Sequence, residues 1–314
     1  MALGLVGALL GPKTKLPRDH VTRPPRGAKK AAAEHSAGMQ EALDRISGMP
    51  GIADIAVNKR VPRGFYDAVD DFRRHYDAYA AVVRKFHKIP DDAKQPGEPG
   101  GCQGCLEAPM PTHGFEALSI YREIRTWKDF QVIAQRLGEL GEEQFKAIQA
   151  GHTGKDPEKI RFGSKAVQNG RIAFAKTKQV CPLLDEGKQR CRIWERRPLA
   201  CRMHYPTSSP ETHDPAHEGY PKGAKAVNIR LPVKQQVTVH QLDKRMSLQM
   251  SPFLYAAILQ LLQLAEGQLI QEVGEAPAKM QQDGKVTQRA NRNVKHAAKF
   301  KKKGKGGGGK KKRK

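Results

Sequence analysis

Residues 65–90 read FYDAVDDFRRHYDAYAAVVRKFHKIP, with apolar side chains at Phe65, Val69, Phe72, Tyr76, Tyr79, Val83 and Phe86. Steps of four and three trace one face of an α-helix, and Pro90 ends it. An aromatic stripe at helical spacing is core far more often than a platform for stacked bases, so the stretch predicts a buried helix and a mainly α fold. Asp70 and Asp71 fall on the opposite, solvated side.

Upstream, Gly11 to Ala31 sets Pro12, Pro17, Pro24 and Pro25 among Lys and Arg with no apolar periodicity. Residues 1–33 therefore read as a basic flexible arm, with order expected from about Glu34 and a helical segment over 34–98. Downstream, a helix is expected from about Thr112, which offers a cap, with Phe115, Leu118, Ile120, Tyr121, Ile124, Trp127 and Val132 available for burial. Another is expected from Asp156 to about Lys176. Over 221–280 the pattern predicts a small β-hairpin, from the alternation of Val227, Ile229, Leu231, Val233, Val237 and Val239, and then a helix from Ser251 to about Val273. Residues 281–314 are a Lys/Gly-rich tail expected to be disordered.

The formal charge of +24 is unevenly spread: residues 285–314 hold 14 Lys/Arg and no acid, and residues 36–284 hold 35 basic against 30 acidic side chains. The body is near-neutral, which argues against a basic nucleic-acid-binding core. With 38% hydrophobic residues a true core is available, and the longest apolar run, Pro252 to Leu264, is too short and too polar to span a bilayer.

Five cysteines cannot all pair, so a disulfide framework is disfavoured, and the opening apolar residues lack a basic n-region; a cytoplasmic location is expected. Cys102 and Cys105 form a C-x2-C knuckle beside Gly101 and Gly104, able to bite one ion. Cys181, Cys191 and Cys201 follow at equal spacing that is neither helical nor strand-like, so they would converge through loops. Residues 177–206 have few apolar side chains, and metal binding can supply the order that burial cannot. A module over 99–220 is therefore expected to bind zinc or iron, an iron–sulfur cluster included, through Cys102, Cys105, Cys181, Cys191 and Cys201. His204 is the best histidine candidate, ahead of His213 and His217. Arg197 and Arg202, with Arg192 and Arg196, are placed to offset thiolate charge, or else to make surface pairs with Asp185, Glu186 and Glu195.

The stretch CPLLDEGKQRCRIWERRPLACRMHYP, Cys181 to Pro206, resembles the signature of the YkgJ-type cysteine-cluster family, a zinc- or iron-chelating domain that reads C-P-x-L and then C-x-I-[YW]-x-x-R-P-x-x-C-R. The three cysteines, Pro182, Ile193, Trp194, Arg197, Pro198 and Arg202 carry the resemblance, which extends over about Pro99 to Gln235. Cys102-Gln-Gly-Cys105, followed by a helix with Glu116, is similar to a reduced form of the family's amino-terminal cluster, with Leu106 where relatives often have a second adjacent cysteine. Ser208, Ser209 and His213 stand where relatives often have another. The resemblance implies a metal-binding role, structural or regulatory, with Cys105, Cys181, Cys191 and Cys201 as principal ligands and Cys102 as the spare.

The cluster also resembles that of flagellin lysine methylases, which implies an alternative, an iron–sulfur enzyme acting on a protein substrate. No hydrolase or dehydrogenase motif is present and no catalytic residue is assigned. A further alternative is a nucleic-acid or ribosome accessory protein. Its tail, with Lys301, Lys302, Lys303, Lys310, Lys311, Lys312 and Arg313, would hold phosphates or an anionic surface weakly and without sequence preference. The GKGGGGK run at 304–310 lacks the Ser or Thr of a phosphate loop, since Lys311 follows it.

Overall fold

In the computed structural model the described residues are 19–21 (backbone alone), 24–87, 89–90, 93–100, 111–151, 165–214, 217–220, 222–248 and 250–275. The helices are α1 (Arg26–Ala31), α2 (Ala33–Gly48), α3 (Ile55–Asn58), α4 (Phe65–Phe86), α5 (Gly114–Arg125), α6 (Phe130–Ala150), α7 (Lys165–Lys176), α8 (Leu199–Arg202), α9 (Val233–Arg245) and α10 (Leu254–Leu264). Short strands join them: β1 (Asp19–Val21), β2 (Arg60–Val61), β3 (Leu184–Asp185), β4 (Arg190–Cys191), β5 (His204–Pro206), β6 (Ala226–Ile229) and β7 (Gln271–Glu272). The fold is mainly α.

α4 is the centre of the core, as its stripe predicts. Phe65, Val69, Phe72, Tyr76, Tyr79 and Val83 are buried, and only Phe86, at the helix end, is exposed. α2 lies along α4 and adds Met39, Leu43 and Ile46. Their approach depends on Gly38, where a Cβ would sit 2.3 Å from the His75 ring. The first turn of α4 is held from far along the chain: the Glu272 carboxylate accepts the N–H groups of Gly64 (2.9 Å) and Tyr66 (3.0 Å), satisfying donors a helix start leaves open. Midway along α4 the Tyr76 hydroxyl donates to the Ile229 carbonyl at 2.7 Å and fixes β6 to the helix. β6 is the middle strand of a three-stranded sheet, parallel to β1 and antiparallel to β5.

Several boundaries differ from expectation. Order does not wait for Glu34: β1 pairs with β6, and α1 buries Ala28 with Gly27 against Phe86. Backbone pairing to a sheet edge and small side chains need no apolar period, which is why the arm 1–33 looked featureless. The expected hairpin at 226–240 is one strand followed by α9, which Pro232 precedes. Gln235, Val239 and Leu242 are its buried residues, a helical spacing, so the valine alternation past Pro232 was coincidental. The hairpin that does form is β3–β4. The helix expected from Thr112 is two, broken at Thr126–Asp129, and Val132 is exposed rather than buried. Its N-cap is His113, not Thr112, with Glu116 completing a capping box. The last helix stops at Leu264, where Ala265, Glu266 and Gly267 turn the chain toward β7. Residues 156–164 of the expected third helix and all of 276–314, including the lysine tail, lie outside the described residues.

Candidate metal centre

Cys181 and Cys191 sit in turns of one design. The Leu183 N–H reaches the Cys181 sulfur, and the Ile193 N–H reaches that of Cys191, each from two residues on. Such N–H to sulfur bonds favour the thiolate. The two turns are joined by the β3–β4 hairpin, in which Leu184 pairs with Cys191. Cys201 is carried by α8, a single turn opened by Pro198. The Glu116 carboxylate closes its start, accepting the Leu199 N–H at 2.7 Å with one oxygen and the His113 N–H at 3.1 Å with the other. One buried carboxylate thereby orients both α5 and the turn that bears Cys201.

The segment ahead of Cys102 is docked on these loops. Gly97, at φ +85°, accepts the Cys191 N–H at 2.8 Å, and a Cβ there would stand 2.7 Å from the Cys191 Cβ. Gln95 donates to the Arg202 carbonyl and accepts from the Arg197 guanidinium. On the far side of residues 101–110, Thr112 donates to the Pro252 carbonyl at 3.0 Å and Pro111 bridges to Phe253. Two residues further, the Tyr255 hydroxyl hydrogen-bonds the Cys181 sulfur. Cys102 and Cys105 themselves lie outside the described residues; the chain ahead of them bonds to Cys191, and the chain after them pairs with Pro252 and Phe253, next to the Tyr255 that reaches Cys181.

Burial dominates the electrostatics. It pushes all three thiols up, Cys191 to about 11 and Cys201 further, and neighbouring sulfur charge adds to this, from Cys181 on Cys191 and from both on Cys201. Arg197 pulls Cys191 and Cys201 back toward the thiolate, and Arg202 does so for Cys191. The arginines split into two sets. Arg192 and Arg196 make surface pairs, with Asp129 and with Glu123. Arg197 and Arg202 are buried, at 5% and 3% exposure. Arg202 donates to Asp77, the Glu195 carbonyl and the Arg197 carbonyl. Arg197 lies over the Trp194 ring at 3.3 Å and has no carboxylate among its hydrogen-bond partners; its Nε–H is buried and unpartnered among the described residues. A buried guanidinium needs anionic neighbours, and those that act on Arg197 are the Cys201 sulfur, the Asp77 carboxylate and the Cys191 sulfur.

Among the described residues, no group of three or more His, Cys, Asp or Glu side chains is arranged to hold a metal ion. Cys181, Cys191 and Cys201 share one electrostatic field without forming a complete ligand set. The donor chemistry, soft thiols with N–H to sulfur bonds and a buried guanidinium acting on two of them, fits zinc or iron. His204, on β5, is buried with Nδ1 3.2 Å from the Asn228 Oδ1 and its ring edge-on to His213 at 5.9 Å. His213 is buried with Nε2 near the Ser208 hydroxyl and the Lys225 carbonyl. Gln95, Gly97 and Tyr255 escaped the sequence reading because nothing in their spacing joins them to cysteines. The capping role of Glu116 was accessible through the His113-x-x-Glu116 interval.

No curated protein and no solved structure shows significant similarity to the chain. Residues 119–220, which include Cys181, Cys191 and Cys201 and begin after Cys105, match the family model CxxCxxCC, described as a putative zinc- or iron-chelating domain, the cysteine-cluster family that the stretch from Cys181 to Pro206 resembles.

Proposed function

We propose that the protein binds zinc or iron through Cys105, Cys181, Cys191 and Cys201, with Cys102 the fifth thiol and His204 a lesser candidate, and that the centre is structural or regulatory. The observation that carries this reading is the docking of Gln95–Gly97 on Cys191 and Arg202, because it anchors the chain leading to Cys102 and Cys105 at the Cys191 turn. Gly97 is five residues from Cys102 and eight from Cys105, well within the reach of about 3.3–3.6 Å per extended residue. A bound ion would cross-link loops that bury little apolar surface, where structural zinc contributes about 10–16 kcal/mol in small peptides. Arg197 and Arg202 offset the thiolate charge, Tyr255 and the two backbone N–H groups orient sulfur lone pairs, and Glu116 holds the Cys201 turn.

Metal analysis and an absorption spectrum on anaerobically purified full-length protein test the reading. Stoichiometric zinc or iron that Cys191→Ser loses supports it, and the absence of both metals from the unaltered protein overturns it. Labile sulfide with visible absorption would identify an iron–sulfur cluster, and colourless protein with zinc a structural ion.

A further inference from the structure

A cleft of about 520 Å³ opens between the β3–β4 hairpin, the turn Trp194–Arg196 and the end of α5. Both tryptophans of the chain, Trp127 and Trp194, line it, and each is pinned by an arginine. Arg192 lies 3.9 Å over Trp127 and is itself fixed by two hydrogen bonds to Asp129 (2.6 and 3.0 Å), and the buried Arg197 lies over Trp194. Walls held in this way are surfaces for a planar ring, which stacks on indoles and on guanidinium planes alike. A lone phosphate or a single amino acid fills little of such a volume, whereas a ligand of several linked groups matches it.

The charges around the cleft divide into those already used and those left over. The Glu123 carboxylate takes the Arg196 guanidinium at 3.0 Å and the Trp127 indole N–H at 3.3 Å, and Asp185 accepts the Lys188 backbone N–H at 3.1 Å to close the hairpin turn. Three exposed groups on the lining have no such use. The Lys188 ammonium has a 3.9 Å contact with Asp185, and neither the Arg190 guanidinium nor the Glu195 carboxylate has a side-chain partner among the described residues. Two cations on the hairpin fit an anionic group, and one carboxylate on the turn fits N–H donors. A phosphate monoester joined through a sugar to an amino-bearing base carries the anion, the flat ring and the ring-edge N–H together.

We propose that this cleft binds a nucleoside monophosphate, with the phosphate on Lys188 and Arg190, the base against the walls formed by Trp127, Arg192 and Trp194, and the amino group of the base donating to Glu195. No bound ion and no cysteine sulfur takes part, so occupancy of the cleft and metal content of the protein are separate measurements.

Because the two tryptophans line the cleft, intrinsic fluorescence reads its occupancy directly. The full-length protein is titrated with adenosine, guanosine and cytidine monophosphates, with the free nucleosides and with ribose phosphate, exciting at the long-wavelength edge of indole absorption, where the bases are transparent. Expected is a saturable emission change with at least one monophosphate, and binding about tenfold or more weaker for its nucleoside and for ribose phosphate, each of which lacks one end of the ligand. Arg190→Glu weakens the monophosphate about tenfold or more and Arg190→Lys retains it, while Glu195→Ala weakens the monophosphate and leaves ribose phosphate unchanged. No saturable response to any monophosphate, ribose phosphate binding as tightly as the monophosphates, or monophosphate binding unchanged in Arg190→Glu overturns the proposal. Those failures leave the metal reading untouched, and a metal-free chain that still binds the monophosphate removes the metal reading alone.

Discussion

The α2–α4 pair and the loop segment 177–206 are held by different physics. α4 buries ten of its 22 residues, mostly aromatic and aliphatic, against a partner helix of matching pattern. The loop segment has Leu183, Ile193, Leu199 and Tyr205, with Pro198 and Pro206, as its buried apolar side chains; the rest of its order comes from Arg197, Arg202, Glu116 and a backbone bond to Gly97. The helical pair carries its stability in the chain alone. The loops hold three thiols whose protons must leave before an ion can enter, and in the function proposed above the ion supplies the order that burial does not.

Cys201→Ser tests this contrast with the largest expected effect. Metal content should fall to near zero and residues 177–206 should become sensitive to limited proteolysis, while far-ultraviolet circular dichroism keeps most of its helical signal. Simultaneous collapse of the helices would erase the distinction. Phe72→Ala approaches it from the other side: with a fully buried ring removed, unfolding free energy should drop by about 3–5 kcal/mol in denaturant titration, with metal stoichiometry unchanged in the folded fraction. Glu116→Ala acts on the join between the regions. It strips the acceptor from two turn starts, for a loss of about 1–4 kcal/mol, and should weaken metal retention as the Cys201 turn loosens.

The smallest effect expected is at His113, whose Nδ1 lies 2.7 Å from the Asp243 carboxylate on α9. Burial lowers its pKa, but the Asp243 hydrogen bond and the charges of Glu116 and Asp243 outweigh that and leave it raised above the usual 6.5. The contribution of this pair is full below about pH 6.5 and fades as pH rises through the raised value. Thermal melts from pH 6 to 8 should show a shallow decline that Asp243→Asn flattens.

What the sequence discloses follows the same division. The Phe65 stripe declares α4 because burial imposes a period of 3.6, and nearly every residue it marks is in the core. The cysteine loops have no period; they are legible through chemistry, in the interval between cysteines and the Arg-Pro pair before Cys201. The contacts that complete the region are not legible in either way. Gln95, Gly97, Glu116 and Tyr255 act across long stretches of chain, and a polar residue or glycine carries no mark of its distant partner. The same holds for β1 and α1, whose order comes from pairing to β6 and packing on α4 rather than from a pattern of their own.

The central claim is that thiolates from these loops hold an ion, and X-ray absorption at the metal edge of the purified full-length protein tests it most directly. The account predicts a first shell dominated by sulfur at about 2.3 Å, reduced by one scatterer or lost in Cys191→Ser. A shell of nitrogen and oxygen alone, at about 2.0–2.2 Å and unchanged in Cys191→Ser, would contradict it.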